Sequence, residues 1–145
     1  MRTIFWNVRG LAKLKARCKL RELVKAHSPD YLFVVEPLVA YSNSFCASLR
    51  LQGMYPEAIH NTDSNCNANI WIFWYRDLSR PSIIASSTQQ IFVEMERVLI
   101  TGVHAKCTAI GRRKLWNELG LVNSMNKPWL VLGDFNTVLR CEEKK

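Results

Sequence analysis

The stretch Pro128-Trp129-Leu130-Val131-Leu132-Gly133-Asp134-Phe135-Asn136 constrains this chain more than any other. Its apolar run reads as a buried strand that delivers one carboxylate and one carboxamide onto a turn. Asp134 and Asn136 alternate with Phe135, so on extended backbone their side chains leave by the same face. Gly133 lets the backbone bend, or lets a ligand come close, where the strand ends. Polar side chains at the end of a buried strand are a common way to build a site on an α/β scaffold. The same residues can equally form an Asx-turn that does no more than satisfy loop amides.

Two further runs end in the same manner. Arg2-Thr3-Ile4-Phe5-Trp6-Asn7 is short and β-prone, ends in Asn7, and is followed by Val8-Arg9-Gly10-Leu11. Asp30-Tyr31-Leu32-Phe33-Val34-Val35-Glu36 is an apolar strand ending in a carboxylate, with Pro37 stopping it. A single strand-end carboxylate is usually solvated or capping something. Several such ends can converge on a hard cation, which takes carboxylate oxygens, while the amides hold phosphate oxygens.

The remaining elements fit one domain without internal repeats or low-complexity linkers. A helix is expected from about Ala12 to His27, with Leu20, Leu23 and Val24 on one face suited to packing on a sheet. Ser28-Pro29-Asp30 then ends the helix and opens the next strand. Tyr41–Leu51 is expected to form a short helix. Asn69–Tyr75 is strongly β-prone and gives way to a turn at Arg76-Asp77. Ser82–Ala85, Gln90–Glu94 and Val98–His104 read as an antiparallel meander. A second long helix, from about Thr108 to Met125, carries Leu115, Trp116, Leu119 and Val122 ahead of the strand Trp129–Leu132. Trp71 and Trp74 read as core residues rather than stacking platforms.

Composition narrows the function classes. The chain has 145 residues, 48% of them hydrophobic and 10% aromatic, enough for one domain with its own core and unlike a disordered chain. No apolar run approaches the roughly 18–20 residues that a membrane span needs. Met1–Leu20 lacks the pattern of a signal peptide. The five cysteines (Cys18, Cys46, Cys66, Cys107, Cys141) include no C-x-x-C pair. They read as free thiols of an intracellular, reducing compartment, the nucleus being one such setting, in which neither disulfides nor a zinc site is expected. The net charge of +8 points to anionic partners. Lys13, Lys15, Arg17, Lys19, Arg21 and Lys25 crowd the first helix, and Arg112, Arg113 and Lys114 start the second. Such clusters either release counterions from nucleic acid or form solvated helix faces. G-x-x-x-x-G-K-[ST], G-x-S-x-G and H-E-x-x-H are all missing from the sequence.

Four blocks in order, "WNVRGL", "PDYLFVVEP", "GVHAKCTAIGRRKLW" and "PWLVLGDFN", resemble the endonuclease/exonuclease/phosphatase superfamily. They are most similar to its retroelement branch, the apurinic-like endonuclease at the N-terminus of LINE-type polyproteins. The resemblance implies an α/β (α+β) chain that is part of a four-layer α-β-β-α sandwich of the DNase I-like kind. It implies a Mg2+ or Mn2+ site on Glu36 with Asn7 beside it, Asp134 orienting or deprotonating the attacking water, and Asn136 binding the scissile phosphate. DNA is the implied partner.

Two departures from the family pattern shape the expectation. The family has a late Ser-Asp-His block, and residues 1–145 contain none, so a single incomplete domain is expected. Such a domain would supply mostly one sheet with its helices, leave strand edges open and self-associate, or belong to a longer polyprotein. His104 stands where the family usually has Tyr. It can donate to the phosphate or pair with it when protonated, or it marks a position no longer selected for turnover. His27, at a helix end, suits the helix dipole, and His60 reads as a loop residue. Loss of a general acid or of transition-state electrostatics typically costs several powers of ten in rate. The expected function is therefore a metal-dependent phosphodiester hydrolase, weak or inactive alone. The alternatives are a non-catalytic nucleic-acid-binding remnant and a small-molecule phosphoesterase of the same superfamily.

Overall fold

A computed structural model of the chain describes residues 1–61 and 68–137. Strand β2 (Tyr31–Val35) is buried along its whole length. Tyr31, Phe33 and Val35 face one core while Leu32 and Val34 face another. A strand apolar at every position suits a sheet covered on both faces. Strand β4 (Ile70–Trp74) repeats the arrangement, with Ile70, Ile72 and Trp74 on one side and Trp71 and Phe73 on the other. Both tryptophans are core residues, as the sequence implies. Strand β1 (Thr3–Asn7) pairs with β2 in parallel, β4 pairs with β2 antiparallel, and β3 (Ile59–His60) pairs with β4. The sheet order is β1-β2-β4-β3.

The second sheet runs β5 (Ser82–Ser87), β6 (Gln90–Met95), β7 (Val98–His104) and β8 (Trp129–Asp134). Its first three strands form the expected meander, and β8 joins β7 in parallel. Ile91, Val93, Met95 and Ile100 enter the same core as Tyr31, Phe33 and Val35, so the two sheets pack face to face. At Gly102 a Cβ atom would lie 2.6 Å from the Phe33 ring, and the missing side chain is what lets the sheets approach there.

Helices cover the outer faces. Helix α1 (Leu14–His27) sends Leu20 and Val24 onto Leu32, Val34, Trp71 and Phe73, joined by Cys46 of α2 (Asn43–Ser48). Helix α3 (Ala109–Asn123) covers the second sheet with Leu115 and Val122. Ser42 and Thr108 cap α2 and α3, their hydroxyls accepting from the N–H groups of Phe45 and Gly111. The layers are thus α-β-β-α.

The expectation of mostly one sheet is corrected: the described residues form two four-stranded sheets. The free edge of β4 is taken by β3, so the meander assembles separately and closes the sandwich. His60 is corrected likewise, lying on β3 rather than in a loop. Trp116 stays 45% exposed and stacks on Phe135, with ring centroids 5.9 Å apart. Cys18, Cys46 and Cys107 are free thiols, while Cys66 and Cys141 lie outside the described residues. Among the described residues no helix is long and apolar enough to cross a membrane.

Candidate active site

Parallel pairing brings the strand ends together. In β1 and β2, Asn7 sits opposite Val35, so Asn7 and Glu36 emerge side by side. In β7 and β8, His104 sits opposite Asp134. The two pairs belong to different sheets and meet at one end of the sandwich. Asn7 Nδ2 donates to Glu36 Oε1 at 3.1 Å and to Asp134 Oδ2 at 3.2 Å. His104 Nε2 lies 2.8 Å from the same Glu36 Oε1. Residues chosen from the sequence because they end separate strands therefore share one hydrogen-bonded cluster.

The backbone at these ends is unusual. Glu36 has φ 52° and Asn136 has φ 46°, in the left-handed region that costs most side chains energy and persists where surroundings enforce it. Around Glu36 the enforcement is visible: its N–H donates to Asn69 O at 3.0 Å, and its carbonyl accepts from Gly10 N at 2.8 Å. For Asn136 the Asx-turn reading holds, because its N–H donates to Asp134 Oδ1 at 3.0 Å. The Asn136 side chain donates to Ala105 O at 2.6 Å. The turn thus presents the Asp134 carboxylate to Asn7 while satisfying its own amide. Gly133 admits no ligand; a Cβ there would lie 2.3 Å from Val103 O, so the glycine serves the approach of β8 to β7.

A cavity of about 460 Å³ opens beside the cluster, lined among others by Glu36, Asn61, Asn69, His104, Lys106 and Asn136. Asn61 and Asn69 are site residues that the sequence reading passed over. Because β4 runs antiparallel to β2, it is the start of β4, not its end, that lies beside Glu36. Gln89 is a third such residue: it is buried, accepts from Lys106 N at 2.8 Å and donates to Gly111 O at 3.0 Å. Arg112 Nη1 reaches the carbonyls of Lys106, Cys107 and Asn136 at 2.9, 2.8 and 2.9 Å. It clamps the segment after β7 to the turn after β8.

Other basic residues are similarly engaged. Arg17 donates to Leu11 O and Arg21 to Leu49 O, each at 2.7 Å. His27 ends α1, and its carbonyl accepts from the Arg2 guanidinium. His60 packs on Tyr41 with ring centroids 4.0 Å apart, and burial lowers its pKa below the ordinary value.

The donor set bears on the implied cation. Among the described residues no group of three or more His, Cys, Asp and Glu is arranged to hold a metal ion, the donor set that a zinc site takes. Mg2+ differs, being held through one or two carboxylates with waters and substrate phosphates. Glu36 fits that pattern, since both bonds it accepts fall on Oε1 and neither touches Oε2. Asn7 turns Nδ2 toward Glu36, and its Oδ1 accepts from Arg9 N at 3.3 Å.

No protein-family model and no curated protein sequence matches the chain. Solved structures do. The endonuclease domain of TRAS1, a telomere-specific non-LTR retrotransposon, matches with a TM-score of 0.68 at 12% identity, over 95% of this chain and 61% of that one. The 3′ phosphatase NExo from Neisseria, bound to a product DNA hairpin, matches with 0.64 at 17% identity, over 97% and 60%. TDP2 from Caenorhabditis elegans matches with 0.60 at 16% identity, over 95% and 48%. The chain spans between 48% and 61% of the length of these proteins. What the likeness shows is the fold: the two face-to-face sheets and covering helices are the DNase I-like sandwich shared with these endonuclease and phosphatase domains.

Proposed function

We propose that this chain is a phosphodiesterase domain of the retroelement endonuclease type, hydrolysing phosphodiester bonds in DNA with Mg2+ or Mn2+. The observation that carries the reading is the bridge from Asn7 to both Glu36 and Asp134. It joins the ends of two sheets into one acidic site beside a cavity. A divalent cation bound at Glu36 would supply Lewis-acid stabilisation of the phosphoryl oxygens and leaving oxygen. Asn7 holds Glu36 and Asp134 apart while neutralising neither. Asp134, fixed at Oδ1 by Asn136 N–H and at Oδ2 by Asn7, orients the attacking water and takes its proton. Asn136 donates one amide hydrogen to Ala105 O, which leaves its second for a phosphate oxygen. His104 is committed to Glu36, so its contribution runs through that carboxylate rather than through the phosphate.

Support for DNA as partner comes from the net charge of +8 and from the likeness to NExo, which is bound to DNA. Edge strands β1 and β8 are only half-buried. In this proposal they are where a further part of a polyprotein, or a second copy, adds strands. A second reading is a nucleic-acid-binding domain without turnover. It is favoured by the positions of His27 and His60, which leave no second imidazole in the cavity among the described residues.

A substrate panel tests these readings: supercoiled plasmid, an abasic duplex and an inositol phosphate, each with Mg2+ or EDTA, alongside DNA binding across a salt series. Metal-dependent cleavage of the DNA substrates supports the proposal. Salt-sensitive binding without cleavage selects the second reading. Cleavage of the inositol phosphate alone selects a small-molecule phosphoesterase.

A further inference from the structure

We infer that Asn61 and Asn69 are positioning residues: they hold His104 as the Nε2-protonated tautomer, and through it fix the rotation of the Glu36 carboxylate. The inference rests on the phosphodiesterase reading only for what Glu36 then does.

Each direction in this chain of bonds is dictated by a group that has no choice. Asn61 Oδ1 receives the backbone N–H groups of Asn69 and Ile70, at 3.2 and 2.7 Å. Backbone N–H groups only donate, so the atom they meet is the oxygen. The other end of that amide is the nitrogen, which donates to Ser87 O at 2.9 Å and to Asn69 Oδ1 at 2.7 Å. Asn69 is thereby oriented in turn. Its Nδ2 faces Thr88 O at 3.2 Å, a carbonyl that only accepts, and His104 Nδ1 at 3.0 Å. With an N–H aimed at it, His104 Nδ1 is the acceptor, and the proton of the neutral ring sits on Nε2. Nε2–H then donates to Glu36 Oε1 at 2.8 Å.

The effect on Glu36 is geometric. His104 and Asn7 both donate to Oε1, which turns Oε2 away from protein donors and makes it the oxygen offered to a cation. Asn69 also holds Glu36 from the other side, its backbone carbonyl accepting from Glu36 N–H at 3.0 Å. One residue thus fixes both the backbone and, through His104, the side chain. Asn61 is 3% exposed, so its bonds are made away from solvent. They run from the first sheet to Ser87 O at the end of β5 in the second. The relay consequently depends on the two sheets keeping their spacing.

The test uses protein labelled with ¹⁵N in the histidine rings, whose three imidazoles are assigned with His104→Gln. The spectrum of the wild-type protein is expected to show His104 protonated at Nε2 and bare at Nδ1. Asn69→Asp replaces the donor with an acceptor and is expected to put a proton on Nδ1. Mn2+ binding, followed by its paramagnetic resonance signal, is expected to weaken about 10–100-fold in Asn69→Asp and in Asn69→Ala, the usual scale for partners that orient a ligand. Wild-type His104 protonated at Nδ1 overturns the relay, whether or not any variant folds. The expected tautomer with unchanged Mn2+ affinity in folded Asn69 variants overturns the positioning role. Wild-type protein that binds no Mn2+ overturns the metal reading and the positioning of a ligand, while the spectrum still decides the tautomer.

Discussion

Asn7 and Asp134 are joined by a 3.2 Å hydrogen bond across 127 residues of sequence, and the bond ties the end of the first sheet's edge strand to the end of the second's. Its amide nitrogen serves Glu36 as well, so it separates two carboxylates that would otherwise repel. Asn7→Asp places a third carboxylate there. The expected result is loss of divalent-cation-dependent activity and a lower urea midpoint than Asn7→Ala, because like charges in close contact disfavour the folded state. An Asn7→Asp protein as stable and active as wild type would contradict the bridge.

Arg112 belongs by sequence to a basic cluster that either contacts phosphates or forms a solvated face, and its Nη1 is engaged by three carbonyls. Bonds from charged donors are each worth about 1.5–3 kcal/mol, reduced here by partial exposure. Arg112→Lys keeps the charge and loses the planar guanidinium whose Nη1 reaches the three carbonyls. It should lower thermal stability while leaving the salt dependence of DNA binding unchanged. Arg113→Ala should do the reverse. Binding that weakens equally in both would return Arg112 to the phosphate-contacting set.

Two glycines give opposite signs for one substitution. At Gly133 a new Cβ would lie 2.3 Å from the Val103 carbonyl oxygen, a backbone atom that cannot step aside, so Gly133→Ala should cost about 1–3 kcal/mol. At Gly120, inside α3, nothing lies within 4 Å, and Gly120→Ala should stabilise by about 0.5–1 kcal/mol. Urea denaturation of the pair checks both.

Much of this architecture was legible in the sequence because it depends on local chemistry. Apolar runs bounded by Asn7, Glu36-Pro37 and Gly133-Asp134 mark strands, and the polar residues at their ends form one hydrogen-bonded cluster. The division into two sheets was not legible. Alternation within Gln90–Met95 says which residues share a face, not which sheet the strand joins. Strand β3 pairs only Ile59 and His60 with Ile72 and Trp71, too short a segment to carry a period. Asn69 was missed for a directional reason: a polar residue at the start of a strand counts as a site residue only once that strand is known to run antiparallel to its neighbour. Asn61 was missed because it follows the two-residue β3. The clamp made by Arg112 was not legible, because charge spacing alone does not distinguish a solvated cation from one that ties loops together.

Tyr31 supplies a pH prediction. Its ring is buried between the sheets, its hydroxyl has no partner among the described residues, and burial pushes its pKa up to about 12. The unfolded chain loses that proton near pH 10, earlier than the folded protein does. Stability from this residue is therefore fully present below about pH 10 and is lost as pH rises toward 12. Tyr31→Phe should flatten that alkaline loss. It should also raise stability near neutrality by about 1–3 kcal/mol, the cost of an unsatisfied buried hydroxyl. An unchanged alkaline limb would show that the hydroxyl is solvated.

The most direct test of the site is nicking of supercoiled plasmid by wild-type protein and Glu36→Gln, purified in parallel, with Mg2+ or EDTA. The variant keeps the shape of Glu36 and removes the charge that the proposed cation needs. Nicking that requires Mg2+ and disappears in Glu36→Gln is the predicted result. Equal nicking by both proteins would contradict the assignment of Glu36 and the site built around it.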